Sequence, residues 1–207
     1  MRRVLTCFLT VLMLMQCLLL CSCTRNYEGY YAREVIQYIE TNMPSSVRCV
    51  YSQYSENRTT VSIKFVNVNS IAKISRIITL YNNYMDANPK YFMNDSDKSV
   101  SIEFYADDDK VASRKIANCS STYSNHIDYL DLYTSDKSYS YKFSELDNMF
   151  PSIRYLCLGN KYYADDYTVF YNMYRLETIV IEDGRDISAF DLRDDLRELY
   201  PRLNLYC

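Results

Sequence analysis

The spacing of apolar residues changes along this chain, and each change predicts a different element. Over residues 31–42, Val35, Ile36 and Ile39, with Met43 just beyond, recur at three-to-four spacing. That pattern predicts an amphipathic helix ending near Pro44. Residues 47–54 and 59–66 alternate or run β-branched on either side of Glu56-Asn57-Arg58, the pattern of a β-hairpin. Asn69 or Ser70 can cap a second helix, in which Ile71, Ile74, Ile77, Ile78, Tyr81 and Met85 make one apolar stripe. Pro89 closes it, and Val100, Ile102 and Phe104 alternate in a further strand that ends at Asp107-Asp108-Asp109. The order α-β-β-α-β predicts a small sheet with helices on one side.

Beyond about residue 120 the pattern becomes repetitive. Ile153-Arg154-Tyr155-Leu156-Cys157-Leu158 has the beat Ile-x-x-Leu-x-Leu. Ile127-Asp128-Tyr129-Leu130-Asp131-Leu132 and Leu176-Glu177-Thr178-Ile179-Val180-Ile181 share it, and Leu203-Asn204-Leu205 is a clipped copy. Leu146-x-x-Met149-Phe150-Pro151, Phe170-x-x-Met173-Tyr174 and Leu196-x-x-Leu199-Tyr200-Pro201 each predict a short helix just before the strand. The anchors are 26, 23 and 27 residues apart, within the leucine-rich-repeat range. The last 80 or so residues therefore resemble an irregular leucine-rich repeat region. The family's regular Asn is missing: Asn160 comes one residue early, and Ser135 and Gly184 stand in its place elsewhere. An ordinary α/β domain with look-alike buried strands is the alternative, and both predict a parallel sheet with helices on its outer side.

The N-terminus has a third pattern. Arg2 and Arg3 precede an apolar run over residues 4–20, broken by two threonines and Gln16, which exits through Leu20-Cys21-Ser22-Cys23. A basic start, an apolar stretch and a small-residue exit is the layout of a secretory signal peptide. The Leu-x-Ser-Cys ending resembles the lipobox of bacterial lipoproteins. That resemblance implies cleavage before Cys23, diacylation of Cys23, and tethering to the outer face of a membrane. The alternatives are an uncleaved anchor and a secreted glycoprotein with acceptors at Asn57, Asn94 and Asn118. The expected organisation is a signal peptide over 1–22, a lipidated tether over 23–28, an α+β module over 29–119 and the repeat-like region over 120–207. The fold class is then α/β, with the small α+β module followed by an irregular β/α solenoid carrying a parallel sheet.

Composition narrows the function. Loss of residues 1–22 removes Arg2 and Arg3, leaving 21 basic against 26 acidic residues, a net charge of −5. That argues against nucleic acid, which rewards clustered Lys and Arg. It also leaves membrane attachment to the lipid alone. Three glycines and four prolines in a chain that is 48% hydrophobic fit a folded domain rather than a linker. Cys49, Cys119, Cys157 and Cys207 remain after the leader, an even number with three pairings open.

Candidate chemistry is sparse. His126 is the only histidine, no Gly-x-Ser-x-Gly or paired-cysteine motif occurs, and three glycines cannot build a phosphate loop. A lone loop histidine is more often solvated than catalytic. The acidic clusters Asp107-Asp108-Asp109, Asp165-Asp166 and Asp194-Asp195 keep a carboxylate-pair glycan hydrolase open as the alternative function. Asp95-x-Asp97-x-Ser99 starts like a calcium loop, but Val100 replaces the turn glycine and Ala106 the bidentate Glu. No cofactor and no metal is expected. What remains is a surface: in the repeat strands Tyr129 and Asp131, Tyr155 and Cys157, and Thr178 and Val180 alternate with the buried anchors. The expected function is non-enzymatic binding of a protein or a cell-surface polymer through this face. The bland alternative is that Tyr129 and Tyr155 pack against the N-terminal module.

Overall fold

The computed structural model of the chain describes residues 28–54, 60–89, 99–107, 114–121, 126–132, 141–146, 149–159, 162–163, 167–181 and 204–206. Both long helices form where the apolar stripes place them: α1 over Glu28–Asn42 and α2 over Ile71–Ala87. Ser70, in extended backbone, caps α2, its Oγ accepting from the Lys73 N–H at 3.3 Å. That satisfies one of the amides a helix start leaves unpaired. Val35 and Ile39 of α1 and Ile74 and Ile77 of α2 are fully buried in one core with the sheet. The helices meet through Tyr84, whose hydroxyl donates to Glu34 at 2.9 Å and whose ring lies 5.3 Å from that of Tyr38.

The sheet has eight strands in the order β1-β2-β3-β4-β5-β7-β9-β10. Their ranges are β1 Arg48–Tyr54, β2 Thr60–Val66, β3 Ser99–Tyr105, β4 Lys115–Ser120, β5 Tyr129–Leu132, β7 Tyr155–Leu158, β9 Thr178–Ile181 and β10 Asn204–Tyr206. The predicted hairpin is the antiparallel pair β1/β2, its turn residues lying outside the described segments. α2 then carries the chain over to β3, parallel to β2. The sequence reading lacked β4. Lys115-Ile116-Ala117-Asn118-Cys119-Ser120 does not alternate cleanly, because Ile116, Ala117 and Cys119 are all buried. β4 pairs antiparallel with both β3 and β5, so one sheet runs unbroken past residue 119, where the sequence suggested a change of module.

From β5 onward every pairing is parallel. Each strand starts on the carbonyl before its neighbour: Asp128 O accepts from the amides of Arg154 and Tyr155, and Arg154 O from those of Glu177 and Thr178. Glu177 O accepts from Asn204. The register sets Tyr129 beside Tyr155, Tyr155 beside Thr178 and Thr178 beside Asn204. The predicted short helices before β7 and β9 are 3-10 helices, Phe143–Leu146 and Tyr167–Asn172. These are followed by matching bonds, Met149 N–H to Leu146 O and Met173 N–H to Phe170 O. A small parallel pair, β6 (Tyr141–Lys142) and β8 (Tyr162–Tyr163), lies between the main strands in sequence. This much is a mixed α/β fold with a partly parallel sheet and two α-helices among the described residues.

The cysteines are constrained by this topology. Cys49, Cys119 and Cys157 are free thiols on β1, β4 and β7, with at least one strand between any two of them. Strands stand about 4.8 Å apart, and a disulfide spans Cα atoms only about 4.4–6.8 Å apart, so no bridge joins these three. Cys207 lies outside the described residues, as do Cys23, Asn57 and Asn94. Asn118 sits inside the sheet between Glu103 and Asp131, a poor place for a glycan, which needs an exposed loop. No helix among the described residues is long and apolar enough to cross a membrane.

Candidate functional site

The helices cover one face of the sheet, and the alternate residues of every strand form two rows on the other. One row reads Tyr51, Lys64, Glu103, Asn118, Asp131, Cys157 and Val180; the second reads Gln53, Ser62, Ser101, Ser120, Tyr129, Tyr155, Thr178 and Asn204. All five residues expected to form a contact surface fall here, side by side: Tyr129, Tyr155 and Thr178 in one row, Asp131 and Val180 in the other. Each is half-buried. Cys157, of the same row, is 7% exposed and contributes little area. The face divides in two: charged, Asn and serine positions over β2–β4, and tyrosines with Asp131 and the smaller Cys157, Thr178 and Val180 over β5–β9.

The charged half is a network around Glu103. Lys115 Nζ lies 3.0 Å and Lys64 Nζ 3.3 Å from its carboxylate, the Tyr105 hydroxyl donates to it at 2.9 Å, and Lys64 lies over the Tyr51 and Tyr105 rings. Partial burial works against the Glu103 charge, but Lys115, Tyr105 and Lys64 outweigh it and hold the carboxyl below its ordinary 4.5. A carboxyl lowered on folding adds stability above its unfolded pKa and loses it as pH falls through the folded one. Glu103→Gln is therefore expected to flatten the acid limb of a stability–pH profile below pH 4.5. The change stays small, since exposed ion pairs contribute less than about 1 kcal/mol. Urea melts of both proteins over that limb would measure it; an unchanged slope would dissociate Glu103 from acid sensitivity.

A second feature lies in the helix layer, where α2 runs beside the turns that lead into β5, β7 and β9. Ser75, Thr79, Asn82 and Asp86 stand one above another on a single face of α2. Ser75 Oγ donates to Met149 O, and Asn82 Nδ2 donates to Ser152 Oγ at 3.1 Å while its Oδ1 accepts the Ile127 amide at 2.8 Å. His126 Nε2 lies 2.8 Å from Asp86 Oδ1. Between helix and turns is an open cleft of ≈ 360 Å³, with Asn83, Asp86, His126, Pro151, Tyr174 and Arg175 among its walls. The lone histidine, expected to be merely solvated, is thus half-buried against a carboxylate at the cleft. Sequence reasoning passed over this site because it tracked the apolar stripe of α2 and not the polar one beside it.

No family model, curated protein or solved structure matches the chain. The remaining candidates are weaker. Burial pushes the Cys49 and Cys119 thiols above the ordinary 9.0, so neither is a ready nucleophile. Asp107 is paired with Arg114 at 2.6 Å, whereas Asp165-Asp166, Asp194-Asp195, Asp95 and Asp97 lie outside the described residues. Among the described residues no group of three or more His, Cys, Asp or Glu side chains is placed to hold a metal ion.

Proposed function

We propose that this chain is an exported, lipid-tethered binding or scaffold protein without catalytic activity, and that its helix-free sheet face takes a protein partner. The observation carrying this is the adjacency of Tyr129, Asp131, Tyr155, Thr178 and Val180 on that face. Two neighbouring tyrosines beside a carboxylate and small side chains combine apolar area with polar ends, the mixture found at the core of protein interfaces. The repeated carbonyl-sharing at strand starts and the matched 3-10 turns support a finer reading, an irregular leucine-rich-repeat-like solenoid over residues 120–207. The basic-apolar-lipobox start supports the address: removal of residues 1–22, acylation of Cys23, and a tether over 23–28. A net charge of −5 beyond the leader keeps nucleic acid out of the partner list.

The test is site-directed crosslinking on intact cells. A photoreactive benzoylphenylalanine at Val180 is expected to give a discrete heavier adduct, which Tyr129→Ala with Tyr155→Ala abolishes while expression and thermal midpoint hold. A face that gives no adduct, or an adduct indifferent to both tyrosines, would remove this surface from the function. Turnover of a polysaccharide that is lost in Asp165→Asn or Asp194→Asn protein would replace binding with the hydrolase alternative.

A further inference from the structure

The geometry points to a second site, independent of the sheet face: the cleft between α2 and the strand-leading turns binds a neutral saccharide, one or two sugar rings long. Its volume of ≈ 360 Å³ lies near the lower end of small-molecule sites, about 300–1,000 Å³. At its wall Tyr174 is 69% exposed, by far the most exposed of the large apolar side chains on the described surface. Arg175 lies over one face of the ring, its Cζ 5.9 Å from the ring centre, and the exposure of Tyr174 keeps the rest of the ring within reach of a ligand. A pyranose has one face of C–H groups, which packs on such a ring, and a rim of hydroxyls that each donate and accept. Asn83, Arg175 and the hydrogen-bonded Asp86–His126 pair place planar polar groups around the cleft to meet that rim.

Other ligand classes fit less well. The cleft lies along the C-terminal half of α2, whose carbonyl end carries partial negative charge, and Asp86 adds a full one. Phosphates and other anions are therefore disfavoured despite Arg175. A cation would be repelled by Arg175, whose guanidinium already lies over the Tyr174 ring. Among the described residues a metal would find only Asp86 and His126, two ligands where a stable site needs more. An uncharged, hydroxyl-rich ligand matches the balance of one carboxylate against one guanidinium.

The experiment is a titration of the full-length protein in lipid nanodiscs with cellobiose, maltose, mannobiose and N,N′-diacetylchitobiose, beside inorganic phosphate. At least one disaccharide is expected to bind in the millimolar range typical of small neutral ligands. Tyr174→Ala and Asp86→Asn should each weaken it about tenfold, some 1.4 kcal/mol. Both residues are exposed, so these variants should keep the wild-type thermal midpoint, and Tyr129→Ala should bind as wild type. The proposal is overturned if no disaccharide binds up to about 20 mM. It is equally overturned if binding ignores both cleft variants, or if phosphate displaces the sugar. Because Tyr129→Ala reports on the sheet face separately, either site can fail without the other.

Discussion

Asn82→Leu is expected to unfold more readily than wild type by about 1–3 kcal/mol, the cost of leaving a buried polar group unmatched. Asn82 is 9% exposed on α2, and both ends of its amide are in use. Its oxygen takes the amide of fully buried Ile127, just ahead of β5; its nitrogen reaches Ser152 in the turn ahead of β7. Leucine keeps the size and adds apolar surface, so only the lost hydrogen bonds account for the change. For a chain of this length each kcal/mol moves the thermal midpoint by about 2–4 °C. Asn83→Ala, one residue on and exposed, should stay within about 0.5 kcal/mol of wild type. Amide exchange sharpens the expectation: the Ile127 N–H should lose protection in Asn82→Leu while amides of β2 and β3 keep theirs. Equal stability of the two variants would mean that the Asn82 bonds do not help hold α2 to the repeat-like segment.

That expectation also shows why the site was harder to read than the fold. The helices and most strands were legible because each buries one regular stripe: Ile71, Ile74, Ile77, Ile78, Tyr81 and Met85 in α2, and Val100, Ile102 and Phe104 in β3. Apolar burial depends on area, so periodicity alone locates it. β4 escaped because Ile116 and Ala117 are consecutive and both buried, which breaks the alternation a half-buried strand shows. That the residues between the anchors of β5, β7 and β9 share one side was legible through the same alternation. Ser75, Thr79, Asn82 and Asp86 were as regular in spacing as the apolar stripe. Polar residues on a helix are ordinarily solvated, however, and nothing local marks the few that meet backbone amides from residues dozens of positions away. The pairing of His126 was equally illegible, because its partner Asp86 lies on another element.

The two sites, if both operate, lie on opposite layers of one sheet. The Tyr129–Tyr155 face looks away from the helices, whereas the Tyr174 cleft opens beside α2. A macromolecule on the first therefore need not compete with a sugar on the second. The Asn82 bonds connect them in the physical sense that matters: they fix the turns from which both β5 and β7 start. Asn82→Leu should consequently weaken the cleft and loosen the strand starts of the contact face together, whereas Tyr174→Ala should touch only the cleft.

Loss of the membrane tether is the other large effect expected, and Cys23→Ser is the change that should cause it. A lipobox cysteine carries diacylglycerol, and two acyl chains hold a protein where one does not: a single myristoyl chain binds only reversibly, with a partition constant near ~10⁴ M⁻¹. The net charge of −5 beyond residue 22 argues against a polybasic hold that would compensate for the missing lipid. Cells fed labelled palmitate should thus label the wild-type protein and leave Cys23→Ser unlabelled. Since acylation would precede cleavage, the variant should also accumulate as a precursor retaining residues 1–22, and the membrane readout needs a second form. A protein given an ordinary cleavable leader, so that it starts at Thr24, should wash off with the soluble fraction and keep its wild-type thermal midpoint. Mass spectrometry of the wild-type N-terminus decides among the alternatives. A diacylglyceryl group on Cys23 upholds the tether, an intact Met1 with residues 1–22 makes the segment an uncleaved anchor, and a free N-terminus with sugar on Asn57 makes the chain a secreted glycoprotein. Only the first outcome leaves the sheet face and the cleft held at the outer surface of a membrane by lipid alone, the placement that the proposed binding role requires.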